Sequence, residues 1–215
     1  MPLQNRVTPF ADLVASPARG LMLGNRGGRI HDAARKLGAR RWASKQWICC
    51  VLDFRGRRRK VWGDSYTELF FLDEVTAFAA GHRPCFECRR KDAERFAELF
   101  ATVTPSSVHS RASGNPVRRF SAPFMDSILH RERLDGRAKR TCRAAVDALP
   151  DGAMIARDGE AFAVRGAHLL HWTPAGYGEA LPRPRGIDVD VLTPPSIVEV
   201  VQRGYRPLWH PSAAI

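Results

Sequence analysis

The segment AAGHRPCFECRR, residues 79–90, holds the residues whose types and spacing most directly indicate chemistry. Cys85 and Cys88 form a C-x-x-C pair, and such a pair in a turn can bring both thiolates to one ion. Zinc takes four ligands in a tetrahedron, with sulfur at about 2.3 Å. Pro84 stiffens the approach to the pair, and the neighbouring arginines favour ionised thiols, because nearby positive charge lowers a thiol pKa. The spacing therefore indicates half of a zinc site.

The other half must come from elsewhere in the chain, because there is no second C-x-x-C. Cys49 and Cys50 lie in QWICCVLDF, whose apolar and β-branched residues predict a strand. Successive residues of a strand face opposite sides, so we expect one of these two cysteines to point at the pair. We take Cys50 as the third ligand and His82 as the fourth. His31, Asp53 and Cys49 are the alternatives.

Two other interpretations of the C-x-x-C pair stay open. A redox pair is typical of a parallel βαβ context, whereas the strands ahead of this motif predict an antiparallel hairpin. Plain buried thiols are the other alternative, since free cysteine is a common small core residue. Cys142, alone in a basic segment of helical pattern, is expected to be such a core residue.

The segment ELFFLDEVTAFAAGHRPCFECRR resembles the second half of the Ada-type zinc module of bacterial DNA methylphosphotriester repair proteins. That module runs from a strand with Phe-Phe, through a helix, to Ala-Gly-Phe-Arg-Pro-Cys-x-x-Cys, and the similarity covers residues 69–90. It implies that Cys85 and Cys88 are zinc ligands. The family's other ligands are two cysteines four residues apart, one of which accepts a methyl group. Here Asp53 stands four residues after Cys49, and His82 replaces the aromatic residue.

The distribution of charge points to a polyanionic partner. The chain carries a formal net charge of +12, and residues 17–62 hold thirteen Lys and Arg against two Asp and Glu. Segregated positive charge favours nucleic acid. No segment resembles a base-reading helix, so we expect a partner such as DNA to be bound with little sequence preference.

The segment FRGRRRK is the expected centre of that contact. We predict that it is the tip of a β-hairpin between QWICCVLDF and RKVW, with Trp47 and Trp62 beside the cations, as on nucleic-acid surfaces. The predicted nucleic-acid-binding residues are Arg55, Arg57, Arg58, Arg59 and Lys60 at the tip, with Arg40 and Arg41 ahead of it.

The pattern of elements predicts an α+β protein. Residues 1–103 would form a small basic zinc-stabilised module of a hairpin and helices, including a short helix near 32–37. Residues 104–150 would be a loop and a basic helical segment. Residues 151–215, with the turns RDGE and VRGA, would be a small antiparallel β unit ending in a short helix.

The sequence also contains an internal repeat. DEVTAFAAGHRPCFEC and SIVEVVQRGYRPLWHP align without gaps, and each offers a helix, a Gly and an Arg-Pro. Gly supplies a left-handed helix end and Pro prevents continuation. Because the second copy lacks both cysteines, we expect a helix ending at Gly204 with no metal nearby.

We therefore expect a zinc-containing nucleic-acid-binding protein, linked to DNA repair or processing. The first alternative is an enzyme, either a sacrificial-cysteine methyl acceptor or a metal-dependent nuclease in which His31 and Asp32 supply a base and a ligand. The second is a protein-interaction module without catalysis. No apolar run approaches the ~20 residues of a membrane span, and the five cysteines suit a reducing compartment, so we expect a cytoplasmic location without membrane contact.

Overall fold

The structure is a computed structural model, and it describes residues 1–57, 60–103 and 120–215. The first half of the chain builds a six-stranded sheet with strand order β2-β1-β5-β3-β4-β6. Its strands are β1 (Arg6–Val7), β2 (Leu13–Val14), β3 (Met22–Arg26), β4 (Trp47–Val51), β5 (Leu69–Phe71) and β6 (Arg83–Pro84). Three helices follow its strands, namely α1 (Glu74–Ala79), α2 (Arg90–Val103) and α3 (Ala122–Arg133).

The register of this sheet decides which side chains share a face. β3 runs antiparallel to both β4 and β5, so that Leu23 lies opposite Cys50 on one side and opposite Phe70 on the other. β6 is parallel to β4 and pairs Pro84 with Cys49. Because side chains alternate along a strand, Leu23, Cys50 and Phe70 share one face.

The predicted hairpin between QWICCVLDF and RKVW is wrong. The antiparallel partner of β4 is β3, and residues 60–62 belong to no strand. The chain turns at Arg55 and Gly56, both with positive φ, and Trp62 is then held from its backbone N–H and its indole N–H by Glu68. These hydrogen bonds hold the segment around Trp62 next to the start of β5 and not beside β4.

Two predicted helical segments also differ from the structure. Residues 32–37 form turns, closed by a single bridge between His31 and Leu37, and Arg35 has a φ of 57°. The helix predicted beyond residue 134 is replaced by the hairpin of β7 (Leu134–Asp135) and β8 (Ala138–Lys139). Gly136 has a φ of 57° in the turn, a conformation that suits glycine and interrupts a helix.

The predicted β meander near the C-terminus is confirmed as a second six-stranded sheet, with order β13-β12-β11-β10-β14-β9. All of its pairings are antiparallel. Its strands are β9 (Cys142–Ala145), β10 (Met154–Arg157), β11 (Glu160–Arg165), β12 (His168–Thr173), β13 (Gly176–Pro182) and β14 (Asp188–Val191). β9 belongs to this sheet although it precedes residue 151, the predicted start of the β unit. Cys142 is half-buried on β9 and does not lie in a helix.

The internal repeat predicted from the sequence is confirmed as a pair of helices. α1 starts after Asp73, whose side chain accepts the backbone N–H of Thr76 at 2.8 Å. α4 (Pro195–Gln202) ends just before Gly204, which has a φ of 104°. The two copies also contact each other, since Glu74 accepts hydrogen bonds from the Tyr205 hydroxyl and the Leu208 backbone N–H.

Helix α1 ties the two sheets together. Its Val75 and Ala79 are buried in one apolar cluster with Met154 and Leu170 of the second sheet. The described residues thus confirm an α+β fold built on two six-stranded sheets, one two-stranded sheet and four α-helices. None of the described helices has both the length and the apolar composition needed to cross a bilayer.

Candidate metal centre

Three cysteine thiols converge at the edge of the first sheet. The Sγ atoms of Cys50, Cys85 and Cys88 all lie within 4.8 Å of one another. Cys50 and Cys85 are largely buried, at 9% and 6% exposed, and Cys88 is half-buried. We call these three residues the thiol trio, and within the described chain they are the one group of three or more Cys, His, Asp or Glu side chains arranged for a metal ion.

Strand pairing and a tight turn position the trio. The Cys85 backbone N–H donates to the Cys49 carbonyl at 3.0 Å, which continues the β4–β6 pairing by one residue and sets Cys85 beside Cys50. The chain then turns into α2: the Glu87 backbone N–H donates to Cys85 Sγ at 3.4 Å, and the Arg89 N–H donates to the Cys85 carbonyl at 3.0 Å. This turn returns Cys88 to the same place.

The three thiols differ in acidity because they share hydrogen bonds. Bonds from Cys50 and then from Cys88 lower the pKa of Cys85, so Cys85 is the first to ionise. The pKa of Cys50 is raised, chiefly because its thiol donates to Cys85 and Cys88. The bond with Cys50 lowers the pKa of Cys88, but the bond to Cys85 and burial outweigh it and the net shift is upward. Three thiolates so close together need a cation.

The donor set fits zinc. Sulfur ligands at about 2.3 Å in a tetrahedron lie about 3.8 Å apart, and separations that are all within 4.8 Å need a contraction of at most about 1 Å to reach that value. Soft thiolates also select zinc over magnesium or calcium. Three protein ligands are typical of zinc sites that keep an exchangeable fourth position, whereas purely structural sites have four.

His82 and Cys49 lie on the other face of the sheet. The His82 ring contacts the rings of Trp47 and Phe71, with centroids 5.0 and 4.7 Å apart. Trp47 and Cys49 point to the face opposite Cys50, because β4 alternates. The prediction of His82 as a zinc ligand is therefore wrong: its residue is fully buried against aromatic rings. The expectation that one of the vicinal cysteines joins the pair is confirmed, with Cys50 in that position.

The remaining candidate ligands are also elsewhere. His31 is held at both ring nitrogens, with Nδ1 2.6 Å from the Thr67 hydroxyl and Nε2 3.0 Å from the Gly63 carbonyl. Its ring stacks on Trp62 at 5.2 Å. A histidine held in this way serves the packing of the loop, so the argument for His31 as a nuclease base loses its support. Asp53 is exposed and does not join the thiol trio.

The arginines beside the motif are occupied by other partners. Arg83 forms a buried two-pronged ion pair with Asp126 of α3, both N···O distances being 2.8 Å. Arg89 does the same with Glu74 of α1, at 2.6 and 2.9 Å. The sequence argument that these arginines acidify the pair is therefore replaced by the hydrogen bonds within the trio. The arginines instead anchor the turn to α1 and α3.

A cavity of about 240 Å³ opens beside the thiol trio, and all three cysteines line it. Its other walls come from β3, β5 and the segment after β4, including Phe54, Tyr66, Glu68 and Phe70. Arg57 and Glu87 meet at its rim in an ion pair of 2.6 Å. We call this space the thiol cavity. A fourth ligand can reach the trio from it.

The predicted basic surface is divided between two places. Arg55 and Arg57 are exposed beside Phe54, their guanidinium carbons 5.0 and 5.2 Å from its ring centre, and Lys60 is exposed nearby in the chain. Arg40 and Arg41 are exposed in the β3–β4 connection, at the opposite end of β4. Arg58 and Arg59 lie outside the described residues.

Neither tryptophan lies beside the cations at the tip. Trp47 is 1% exposed between the guanidinium groups of Arg26 and Arg133, each 4.0 Å from its ring centre, and Trp62 is 3% exposed. The expectation that both tryptophans flank the cations of the tip is wrong, because both indoles are buried in the interior. Phe54 is the aromatic residue that contacts those cations.

Sequence reasoning missed the cavity and its most unusual wall residue. Glu68 is 2% exposed, and its Oε2 accepts the Trp62 backbone N–H at 2.8 Å. Its Oε1 is buried and has no hydrogen-bond partner among the described residues. The alternation of side chains along ELFF predicts that Glu68 and Phe70 share one face. That this face adjoins Cys50 depends on the pairing of β3 with both β4 and β5, which no local sequence pattern indicates.

Comparisons of the chain with protein-family models, with curated proteins and with solved structures found no match. The thiol trio and the cavity beside it lie together on one side of the first sheet, with the Arg57–Glu87 ion pair at the cavity rim. Together they provide a soft metal-binding set next to a partly apolar space.

Proposed function

We propose that this protein holds a zinc ion on Cys50, Cys85 and Cys88 and binds nucleic acid with the basic surface beside that centre. The observation that carries the proposal is the convergence of the three thiols, one from β4 and two from the turn before α2, within 4.8 Å. Zinc there would stabilise the β4–β6 edge, because metal binding to a site absent from the unfolded chain adds to folding free energy.

The charge of the chain supports the nucleic-acid part of the proposal. The formal net charge is +12. Arg55, Arg57 and Lys60 are exposed, and they lie in or next to the segment after β4 that lines the thiol cavity through Phe54, Arg57 and Val61. Lys and Arg contacts to phosphates release condensed counterions, so affinity would fall steeply with salt. Processing or repair of DNA is the setting in which a zinc centre and such a surface would act together.

The experiment combines a metal assay with a binding titration. Purified full-length protein is assayed for zinc by elemental analysis, then titrated with duplex and single-stranded DNA at several salt concentrations. We expect about one zinc per chain and a log affinity that falls linearly with log salt. A folded protein without bound metal would overturn the zinc proposal, and an affinity that does not change with salt would overturn the electrostatic one.

A second candidate function is suggested by the access that the thiol cavity gives to sulfur. All three cysteines line this cavity, so a Cys50 thiolate could attack the methyl carbon of a methylated DNA phosphate, forming an S–C bond while the C–O bond breaks and the phosphodiester anion leaves. Intact mass measurement after incubation with methylated DNA tests it: transfer adds one methyl group to the chain. An unchanged mass with zinc-loaded protein would leave binding as the proposed function.

A further inference from the structure

The thiol cavity adjoins a second cavity, and the two share one wall. The second cavity, of about 500 Å³, is lined by the N-terminal segment and residues 16–20, and we call it the N-terminal groove. Leu52, Val61 and Phe70 line both spaces. The outer face of the first sheet therefore carries two adjoining cavities with Leu52, Val61 and Phe70 between them, and we call the two together the depression.

The two halves of this depression differ in chemistry. The thiol cavity is walled by the rings of Phe54, Tyr66 and Phe70 and is smaller than the 300–1,000 Å³ of drug-sized sites. The N-terminal groove carries Arg6 and Arg19 instead. The Arg6 guanidinium carbon lies 4.7 Å from the Phe70 ring centre, so positive charge begins where the aromatic wall ends.

Polar groups on the floor of the thiol cavity indicate what would fill it. Glu68 Oε1 is buried with no hydrogen-bond partner among the described residues, and an unsatisfied buried acceptor destabilises the folded state. Asn25, 7% exposed, lines the same space and its Oδ1 accepts the Gly27 N–H at 2.9 Å. A flat ring with N–H groups on its edge would meet both the aromatic walls and the free oxygen.

We propose that this depression binds one unpaired nucleotide of a nucleic-acid strand, with the base in the thiol cavity and the phosphate at Arg6 and Arg19. The inference rests on the proposed nucleic-acid function and assigns it a site. A base stacks on aromatic side chains whatever its sequence context, and its exocyclic amine can donate to Glu68, as cytosine N4 does to carboxylates.

Charge at the groove supports an anion there. Arg6 and Arg19 lie close enough that, after burial, the positive charge of Arg19 is the next cause of the lowered pKa of Arg6. Arg6 already donates from Nε to the Ala18 carbonyl and from Nη1 to Asn5 Oδ1, so a phosphate between the two arginines would accept charge-assisted hydrogen bonds from Arg6 Nη2 and from Arg19. The groove, at about 500 Å³, is also larger than one phosphate needs, which favours a strand over a free nucleotide.

The test compares oligonucleotides that differ only in their bases. A decamer of deoxycytidine and a decamer of abasic sites carry the same phosphates, and both are titrated into zinc-loaded full-length protein at fixed salt. We expect the deoxycytidine decamer to bind about tenfold more tightly, since stacking of one base contributes a factor of about five or more. Equal affinities would overturn the inference while leaving electrostatic binding intact.

Matched variants locate the effect. Leu52 is 51% exposed and lines both cavities, so Leu52→Trp fills the depression without disturbing the core; Leu208, 48% exposed, lines neither cavity and provides the control Leu208→Trp. Leu52→Trp should abolish the preference for the deoxycytidine decamer over the abasic decamer. Leu208→Trp should behave as wild type. A Leu52→Trp protein that keeps the full preference would overturn the site.

A conservative change tests the base contact. Glu68→Gln can keep an oxygen for the Trp62 N–H while presenting an amide N–H to the cavity, so it replaces an acceptor by a donor. The affinity for deoxycytidine should fall severalfold and the abasic affinity should not change. Deoxycytidine monophosphate that binds as tightly as the decamer would overturn the assignment to a strand. If neither decamer binds, the proposed function itself fails, and the inference with it.

Discussion

Cys49 and Cys50 are adjacent in the sequence and face opposite sides of the same sheet. Cys50 belongs to the thiol trio beside the cavity, whereas Cys49 is fully buried on the other side, its Sγ 3.9 Å from Arg89 Nη1. The raised pKa of Cys49, caused first by burial and then by the charge of Glu74, keeps that thiol protonated. Two neighbouring cysteines thus have different surroundings, one in the thiol trio and one in the core.

This relationship gives a matched pair of variants for the metal site. Cys50→Ala should lose the zinc, because a site with two thiolates cannot hold it tightly. Cys49→Ala should keep about one zinc per chain and lose about 1 kcal/mol of stability, as for other small deletions in a core. Elemental analysis and urea unfolding measure the two quantities. A folded Cys49→Ala protein that has also lost its zinc would contradict the assignment.

The basic tip should carry a large part of the nucleic-acid affinity. Replacing Arg57, Arg58 and Arg59 together by Ala removes up to three phosphate contacts and should flatten the slope of log affinity against log salt by up to about 3 units on duplex DNA. Fluorescence titration over a range of salt concentrations measures this slope.

The control for the tip removes the same charge elsewhere. Arg143, Arg157 and Arg203 are exposed in the second half of the chain, and changing all three to Ala lowers the net charge by the same amount. This control should leave the slope nearly unchanged. Equal losses in the two triple variants would mean that net charge, and not the tip, determines binding.

The buried ion pair of Arg83 and Asp126 should be essential to the stability of the fold. Both side chains are nearly inaccessible, at 1% and 6% exposed, and Asp126→Ala would leave a buried guanidinium without its partner. We expect a loss of about 3–5 kcal/mol in the free energy of unfolding. Glu98→Ala, which breaks the exposed pair with Arg95, should cost less than about 1 kcal/mol. Similar losses in the two variants, measured by denaturant unfolding, would refute the prediction.

Lys139 should make stability depend on pH. Burial, followed by the charges of Arg133 and Arg26, lowers its pKa from 10.5 to about 7, while its Nζ donates to the Ala79 carbonyl at 2.6 Å. Between those pH values the unfolded chain binds a proton at Lys139 that the folded chain does not. Stability should therefore rise with pH above about 7, by at most about 1.4 kcal/mol per pH unit, and level off below it.

The variant Lys139→Met removes this group from the pH dependence. Urea unfolding at pH 7 and pH 8.5 should show wild-type protein gaining stability at the higher pH and the variant gaining less. Arg26 also has a lowered pKa, of about 9, because it is buried, so measurements are kept below that value. A variant whose stability rises with pH as steeply as that of the wild type would exclude Lys139 as the cause.

The local elements of this protein were determined by its sequence. Asp73 as a cap and Gly81 as a left-handed residue bound α1, and the second copy of this pattern ends α4 before Gly204. Cys85 and Cys88 were recognisable as a ligand pair from their spacing, and strand alternation separated Cys49 from Cys50. Each of these features depends on residues within one turn of a helix or a few positions of a strand.

Tertiary structure decided which of those elements meet. β4 pairs with β3 across a connection of twenty residues rather than with the segment after it, and this pairing buries Trp47 and directs Cys50 to the trio. Trp62 is turned inward because its backbone N–H and its indole N–H both donate hydrogen bonds to Glu68. No local pattern contains such choices, because they depend on the free energy of burying indole rings and satisfying backbone groups among residues far apart in the chain. The thiol cavity exists only as the space left between those partners.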